Sequence, residues 1–397
     1  MIHQPRQTET PEIRLIELVV MTVDDSNPHT MKRRQFLISS TLGLIPACHQ
    51  TRCLGATAEP VEAAIKLIQT EVAAGKVESA VLQVQRGSSI TTRAFGRANS
   101  ADAIFLIASI TKPMTATGIM ILADRGELKL SDPVRKFIPE FSAGERKNIT
   151  VLNLLNHTSG LPDQVPLNAS LRQRHAPLSE FVKAAVATPL LFRPGTRYSY
   201  QSMGFLLASE IAQRITGTPF PDFLGKELFA PLGMKRTALG MGGFKIAETV
   251  RCQTESAAPE SGAGAAAARR WDWNSPYWRN LGAPWGGAHS TTGDISRFLR
   301  NFLHPDGRVL REATARSMIH NHTKGLSVPR GLGFDLSPGS FGKFCSRKTF
   351  GHRGATGTLC WTDPERDQTC VILTSLPIRT SGELLLRPVA DLVSSRP

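Results

Sequence analysis

From Glu59 onward, VEAAIKLIQTEVAAGK sets its apolar residues at helical spacing and ends in Gly75-Lys76, which predicts an amphipathic helix. SAVLQVQRG (79–87) and ITTRAFGRA (90–98) then read as two short strands around a turn. Helical spacing returns in IASITKPMTATGIMILADRG (107–126), where Pro113 is tolerated near the first turn and Gly126 is a stop. TVLNLLNHTSGLP (150–162), LSEFVKAAVATP (178–189) and GFLLASEIAQRITG (204–217) continue it, each with a Gly or Pro stop. Near the end, KTFGHRGATGTLCWTD (348–363) and QTCVILTSLP (368–377) have strand composition, and GELLLRPVADLVSS (382–395) closes as a helix. Strands at both ends with helices between them predict an α+β fold. One antiparallel sheet from residues 59–108 and about 330–397, with terminal helices on a face, would carry an inserted, mainly helical domain over about 109–329.

Composition changes this picture little. At 397 residues, 41% hydrophobic and 20% charged, the chain can bury a large core, and no run of 18 or more apolar residues predicts a spanning helix. The net charge of +14 has two readings, a solvated basic surface or attraction to an anionic envelope or polymer. No Lys/Arg run is interleaved with aromatics, so nucleic acid is not an expected partner.

Residues 1–58 read as an N-terminal extension rather than as fold. TMKRRQFLISSTLGLIPA (30–47) has a basic start and an apolar stretch, the layout of an export signal, and Arg33-Arg34 followed by Phe36-Leu37 resembles a twin-arginine signal. Ala56-Thr57-Ala58 offers a cleavage site, Met31 is the expected true start, and Ile45-Pro46-Ala47-Cys48 is a loose lipobox. A periplasmic or extracellular location is the expectation. Cys252, Cys345, Cys360 and Cys370 remain beyond the leader and are expected as free thiols, although Cys360 and Cys370 flank a turn and could face one another. TESAAPESGAGAAAA (254–268) predicts a mobile loop, and the four Trp of 271–285 predict either an aromatic wall near a pocket or a loop pinned onto the core.

Candidate chemistry begins at Ser109 and Lys112, three apart at a helix start and so on one face. The free N–H groups of a helix N-terminus favour an oxyanion and lower a lysine's pKa, which suits an activated nucleophile. The pattern alone is weak, since Ser340-Phe-Gly-Lys343 repeats it in a loop with no helix after it. Tyr200 sits just before a helix, where a phenol beside an ammonium is expected to have a lowered pKa and to pass protons. FGHRGATG (350–357) places His352 and Gly354 on a glycine-rich strand that could approach a substrate, with the Ala355 N–H available to an oxyanion.

In this order the three elements resemble the serine beta-lactamase and penicillin-binding-protein superfamily, in its branch of class C beta-lactamases, D-alanyl-D-alanine carboxypeptidases and esterases. GELKLSDPVRKFIPEF, LLNHTSGLP, FRPGTRYSY and GGAHSTTGDISRFL also look like landmarks, and the resemblance covers roughly residues 60–395. It implies the beta-lactamase/transpeptidase-like fold, with Ser109 as nucleophile, Lys112 and Tyr200 sharing the base role, and the N–H groups of Ser109 and Ala355 holding the oxyanion. Two departures bear on substrate. Ser202 stands where the family has Asn, and His352-Arg353-Gly354 where it has Lys-Thr-Gly. A short hydroxyl grips an amide less well, and a neutral imidazole is a poorer partner for a substrate carboxylate unless Arg353 turns inward. The resulting expectation is an exported esterase acting on small acyl esters, with a D,D-peptidase or beta-lactamase, or a non-catalytic binding protein, as rivals. No cofactor and no metal is expected; His320-Asn321-His322 is the one close His pair and has no clear third ligand.

Overall fold

Alternation builds the first hairpin. Ala80, Leu82 and Val84 turn to one side of the chain and Val81 to the other, and strand β1 (Ser79–Arg86) pairs antiparallel with β2 (Ser89–Gly96). The computed structural model describes residues 50–395. Its other strands are β3 (Phe105–Leu106), β4 (Ala238–Leu239), β5 (Ala288–Ser290), β6 (Phe350–Gly354), β7 (Thr358–Asp363) and β8 (Gln368–Thr374). The order β2-β1-β8-β7-β6, antiparallel throughout, joins the two ends of the chain in one sheet.

Both faces of that sheet are covered. Helix α1 (Gln50–Ala73) and the closing helix Arg387–Ser394 bring Ile65, Ile68, Val389 and Val393 onto Leu82, Val84, Leu359, Trp361 and Ile372. Val81, Cys360, Val371 and Leu373 point the other way, into a core shared with helix α2 (Thr111–Asp124) and the helices Met203–Thr216 and Thr292–Leu303. Two-sided burial explains why β8 reads as a continuous apolar run.

Several local expectations change. A second sheet, β3-β5-β4, joins the serine region to the helical part; strands of two or three residues leave no periodicity to read. Residues 56–58 fall inside helix α1, while Met31, the Arg33-Arg34 pattern and Cys48 lie outside the described residues. The stretch 150–162 forms only one helical turn, Val151–Leu155, because the chain turns left-handed at His157 (φ +65°). Residues 254–270 are not an open loop: they form three short 3-10 turns that bury Thr254, Ala257 and Ala268. Cys360 lies opposite Val371, and Cys370 opposite Trp361, so the two thiols occupy opposite faces, and Cys252, Cys345, Cys360 and Cys370 are free. No helix among the described residues is long and apolar enough to cross a membrane.

Candidate active site

Ser109 sits in a single 3-10 turn, Ala108–Ile110, between β3 and α2. Ala108 takes a left-handed conformation (φ +46°), rare for a residue with a Cβ and sustained only where surroundings over-determine it. Three threonines do so. Thr356 and Thr358 donate their hydroxyls to the carbonyls of Leu106 (2.6 Å) and Ile107 (3.0 Å). Thr111 donates to Ala108 O (2.7 Å) while accepting the Ala288 N–H (3.1 Å). Gly354 completes the clamp by absence: a Cβ there would stand 2.4 Å from Ile107 O and 2.1 Å from Thr358 Oγ1. Strand β6 can lie against the serine turn only because that position has no side chain.

Lys112 follows one turn later on α2, fully buried, with Nζ 3.1 Å from Ser109 Oγ. The same Nζ donates to the carbonyl of Trp285 at 2.9 Å. A neutral amine has one lone pair, and with an N–H spent on Trp285 it can turn that pair to the serine. Burial lowers the lysine's pKa to about 7, Asp163 acting against the shift and the Arg330 charge adding to it. The helix N-terminus invoked from sequence is thus not the leading cause. Ser109 itself is half-buried and reachable.

Tyr200 faces the pair. Its phenol is hydrogen-bonded with Ser109, and its ring centroid lies 4.8 Å from Lys112 Nζ. His157 stacks on the ring at 4.6 Å, and its Nδ1 accepts the Gln201 N–H at 3.1 Å, pinning the loop before the helix Met203–Thr216. Gln201 is a buried anchor, accepting from Ser159 and donating to Asn153 O. The expected lowering of the Tyr200 pKa is wrong in sign: desolvation raises it, outweighing the hydrogen bond from Ser109.

Ser202 is buried, its N–H on Asp163 O at 3.1 Å, and its hydroxyl caps nothing. Val165, Phe181, Leu206 and Trp285 form a small apolar niche beside it. The four clustered Trp are all buried, and Trp285 meets both earlier readings: the segment is pinned onto the core, while its last ring reaches that niche. His352 is buried on β6, its ring 6.2 Å from that of Tyr200. Burial first, then Arg330 and Lys112, push its pKa down to about 3, so it is neutral at physiological pH. Arg353 points out to solvent, as strand alternation requires, and Ala355 is exposed just beyond.

The second Ser-x-x-Lys pattern is elsewhere. Gly342 packs on Ala390 and Ser394, and Lys343 is exposed. His320 is exposed and His322 turns Nε2 to Ser317 O. A roomier cavity of about 690 Å³, lined by Arg297, Arg300 and Arg308, contains none of the groups above. Sequence reasoning missed His157, Asp163 and Arg330. Only His157 left a signal, inside the quoted stretch LLNHTSGLP.

The chain is similar to several known proteins. Esterase EstB of Burkholderia gladioli is 31% identical over 166 residues, 38% of this chain and 42% of that protein. Penicillin-binding protein 4 of Amycolatopsis lactamdurans is 32% identical over 240 residues, 58% of this chain and 60% of that protein. The chain thus spans about two fifths and three fifths of these two relatives. Among solved structures, D-amino acid amidase from Ochrobactrum anthropi SV3, in complex with D-phenylalanine, superposes with a TM-score of 0.65 at 26% identity, covering 84% of this chain and 97% of that one. Residues 64–393 match the sequence model of the family described as Beta-lactamase, and the chain belongs to that family.

Proposed function

We propose that this protein is a serine hydrolase of the esterase kind, acting on small acyl esters through an acyl-Ser109 intermediate. The observation that carries the reading is the dry Lys112 amine, 3.1 Å from a reachable serine hydroxyl. With a pKa of about 7, a large share of that lysine is neutral in ordinary buffer. In the forward step Lys112 takes the hydroxyl proton as Ser109 Oγ bonds to the acyl carbon. The N–H groups of Ser109 and Ala355 hold the oxyanion. Tyr200, protonated at neutral pH, donates its phenolic proton to the leaving alkoxide as the carbon–oxygen bond breaks. Water then attacks the acyl carbon and regenerates the serine by the reverse proton path.

The preference for esters rests on what faces the substrate. His352 is neutral and Arg353 is turned to solvent, so β6 offers no cation to a substrate carboxylate. The Ser202 hydroxyl is too short to hold an amide side chain as an Asn would. Similarity to an amidase and a penicillin-binding protein makes amides the second reading. A panel of short-chain p-nitrophenyl esters, a chromogenic cephalosporin and a D-alanyl-D-alanine peptide tests the choice with the full chain. Ester turnover with kcat/KM at least ~100-fold above the other two is expected, a span that one missing hydrogen-bond set can supply. A preference for the peptide or the cephalosporin would overturn it.

A further inference from the structure

Beside the tyrosine rings stands a group that no motif marks. Arg330 is only 8% exposed, with its guanidinium carbon 5.3 Å from the centroid of Tyr198 and 5.7 Å from that of Tyr200. It is hydrogen-bonded with Tyr198, and its ion pair with Asp335, at 3.8 Å, is too long for a hydrogen bond. Nε and Nη1 have no hydrogen-bond partner among the described residues. A buried cation so sparsely satisfied is costly for a fold to keep unless the charge has a use.

Its position is fixed by backbone. The Leu332 and Gly333 N–H groups bond to Met318 O and Leu155 O, and Asp335 pairs with Gly351 on β6. Gly333 (φ +77°) lets the turn touch α2 at Lys112 O and Pro113, where a Cβ would stand 3.0 Å from each. The turn that carries Arg330 therefore rests on the helix turn that carries Lys112 and on the strand that carries His352.

Resting on the hydrolase reading above, we infer that Arg330 is a positioning residue of this site: its permanent charge holds the Tyr200 ring and sets the charge state in which Lys112 meets Ser109. Two cations face one tyrosine ring, and an arginine does not deprotonate in proteins. The cost of like charge therefore falls on the lysine. The groups around Arg330 are Tyr198, Tyr200, Asp335, His352, His157 and Lys112, of which Asp335 alone is an acid. Its charge acts in one direction on the bases, adding to the burial that already lowers Lys112, His157 and His352.

The test is a pH profile with two readouts on the full chain: ester kcat/KM, and the rate at which a fluorophosphonate labels Ser109. In labelling, Oγ bonds to phosphorus, fluoride leaves and the serine proton passes to Lys112. The active form is the neutral lysine, so both rates rise with pH through about 7. Arg330→Met removes a charge that favours the neutral form, so the midpoint should move up by about one unit. Arg330→Lys should keep the wild-type midpoint. Asp163→Asn, which removes the opposing charge, should move it down. If Arg330→Met does not fold, Arg330→Gln, which keeps a donor beside Tyr198, carries the same expectation. A uniform loss at every pH with an unmoved midpoint would make Arg330 merely structural, and a shift in Arg330→Lys equal to that in Arg330→Met would also overturn the inference. Labelling without ester turnover sinks the esterase reading while the profile still judges Arg330; no labelling at any pH sinks both.

Discussion

Lys112 carries the tension of the site. A lysine with no exposure that holds its pKa near 7 rather than 10.5 opposes folding by an amount on the order of 5 kcal/mol at pH 7 and below. The unfolded chain keeps that proton up to about 10.5 and the folded chain sheds it near 7, so the penalty shrinks as pH rises between the two. Lys112→Met should therefore abolish activity and raise the melting temperature by a few degrees at pH 7, with the gain fading by about pH 10. Thermal melts of both proteins across that range check it. A lower melting temperature at pH 7 would mean that the contacts to Ser109 and the Trp285 carbonyl outweigh the buried charge. The same dryness reverses the lowering expected for the Tyr200 pKa, which burial raises instead. Spacing told which side chains meet; how much water surrounds them was not readable from it.

At the scale of elements, the contact that makes the site is β6 against the turn Ala108–Ile110. Gly354 was legible as a place of close approach, but the partner it approaches was not, because Ile107 O arrives from the far side of the helical part in sequence. Gly354→Ala should force the strand and the serine turn apart and cost about 100-fold in kcat/KM, the scale of a displaced nucleophile, with modest loss of stability. Kinetics beside a melting curve check this, and unchanged kcat/KM would show the strand to be uninvolved. The hairpin β1–β2, helix α2 and the helix Met203–Thr216 followed from periodicity because each buries one face of a regular element. The turn carrying Arg330 has no periodicity at all. Its place depends on hydrogen bonds to Met318 O, in the preceding helix, and to Leu155 O, far away in sequence.

For the whole molecule, the order of strands and helices already implied a sheet closed by both ends of the chain, and the β2-β1-β8-β7-β6 order fulfils it. That closure brings Ser109 and His352 to one place although 243 residues separate them in sequence. Family resemblance supplied what periodicity could not, the pairing of three distant motifs, and burial then added that His352 is neutral and Ser202 enclosed. The most direct test of the account is intact and peptide mass spectrometry of the full chain quenched during turnover of a p-nitrophenyl ester. The account predicts one acyl group on the peptide containing Ser109, absent in Ser109→Ala and in Lys112→Met. Ester turnover with no acylated Ser109, or with the group on another residue, would contradict it.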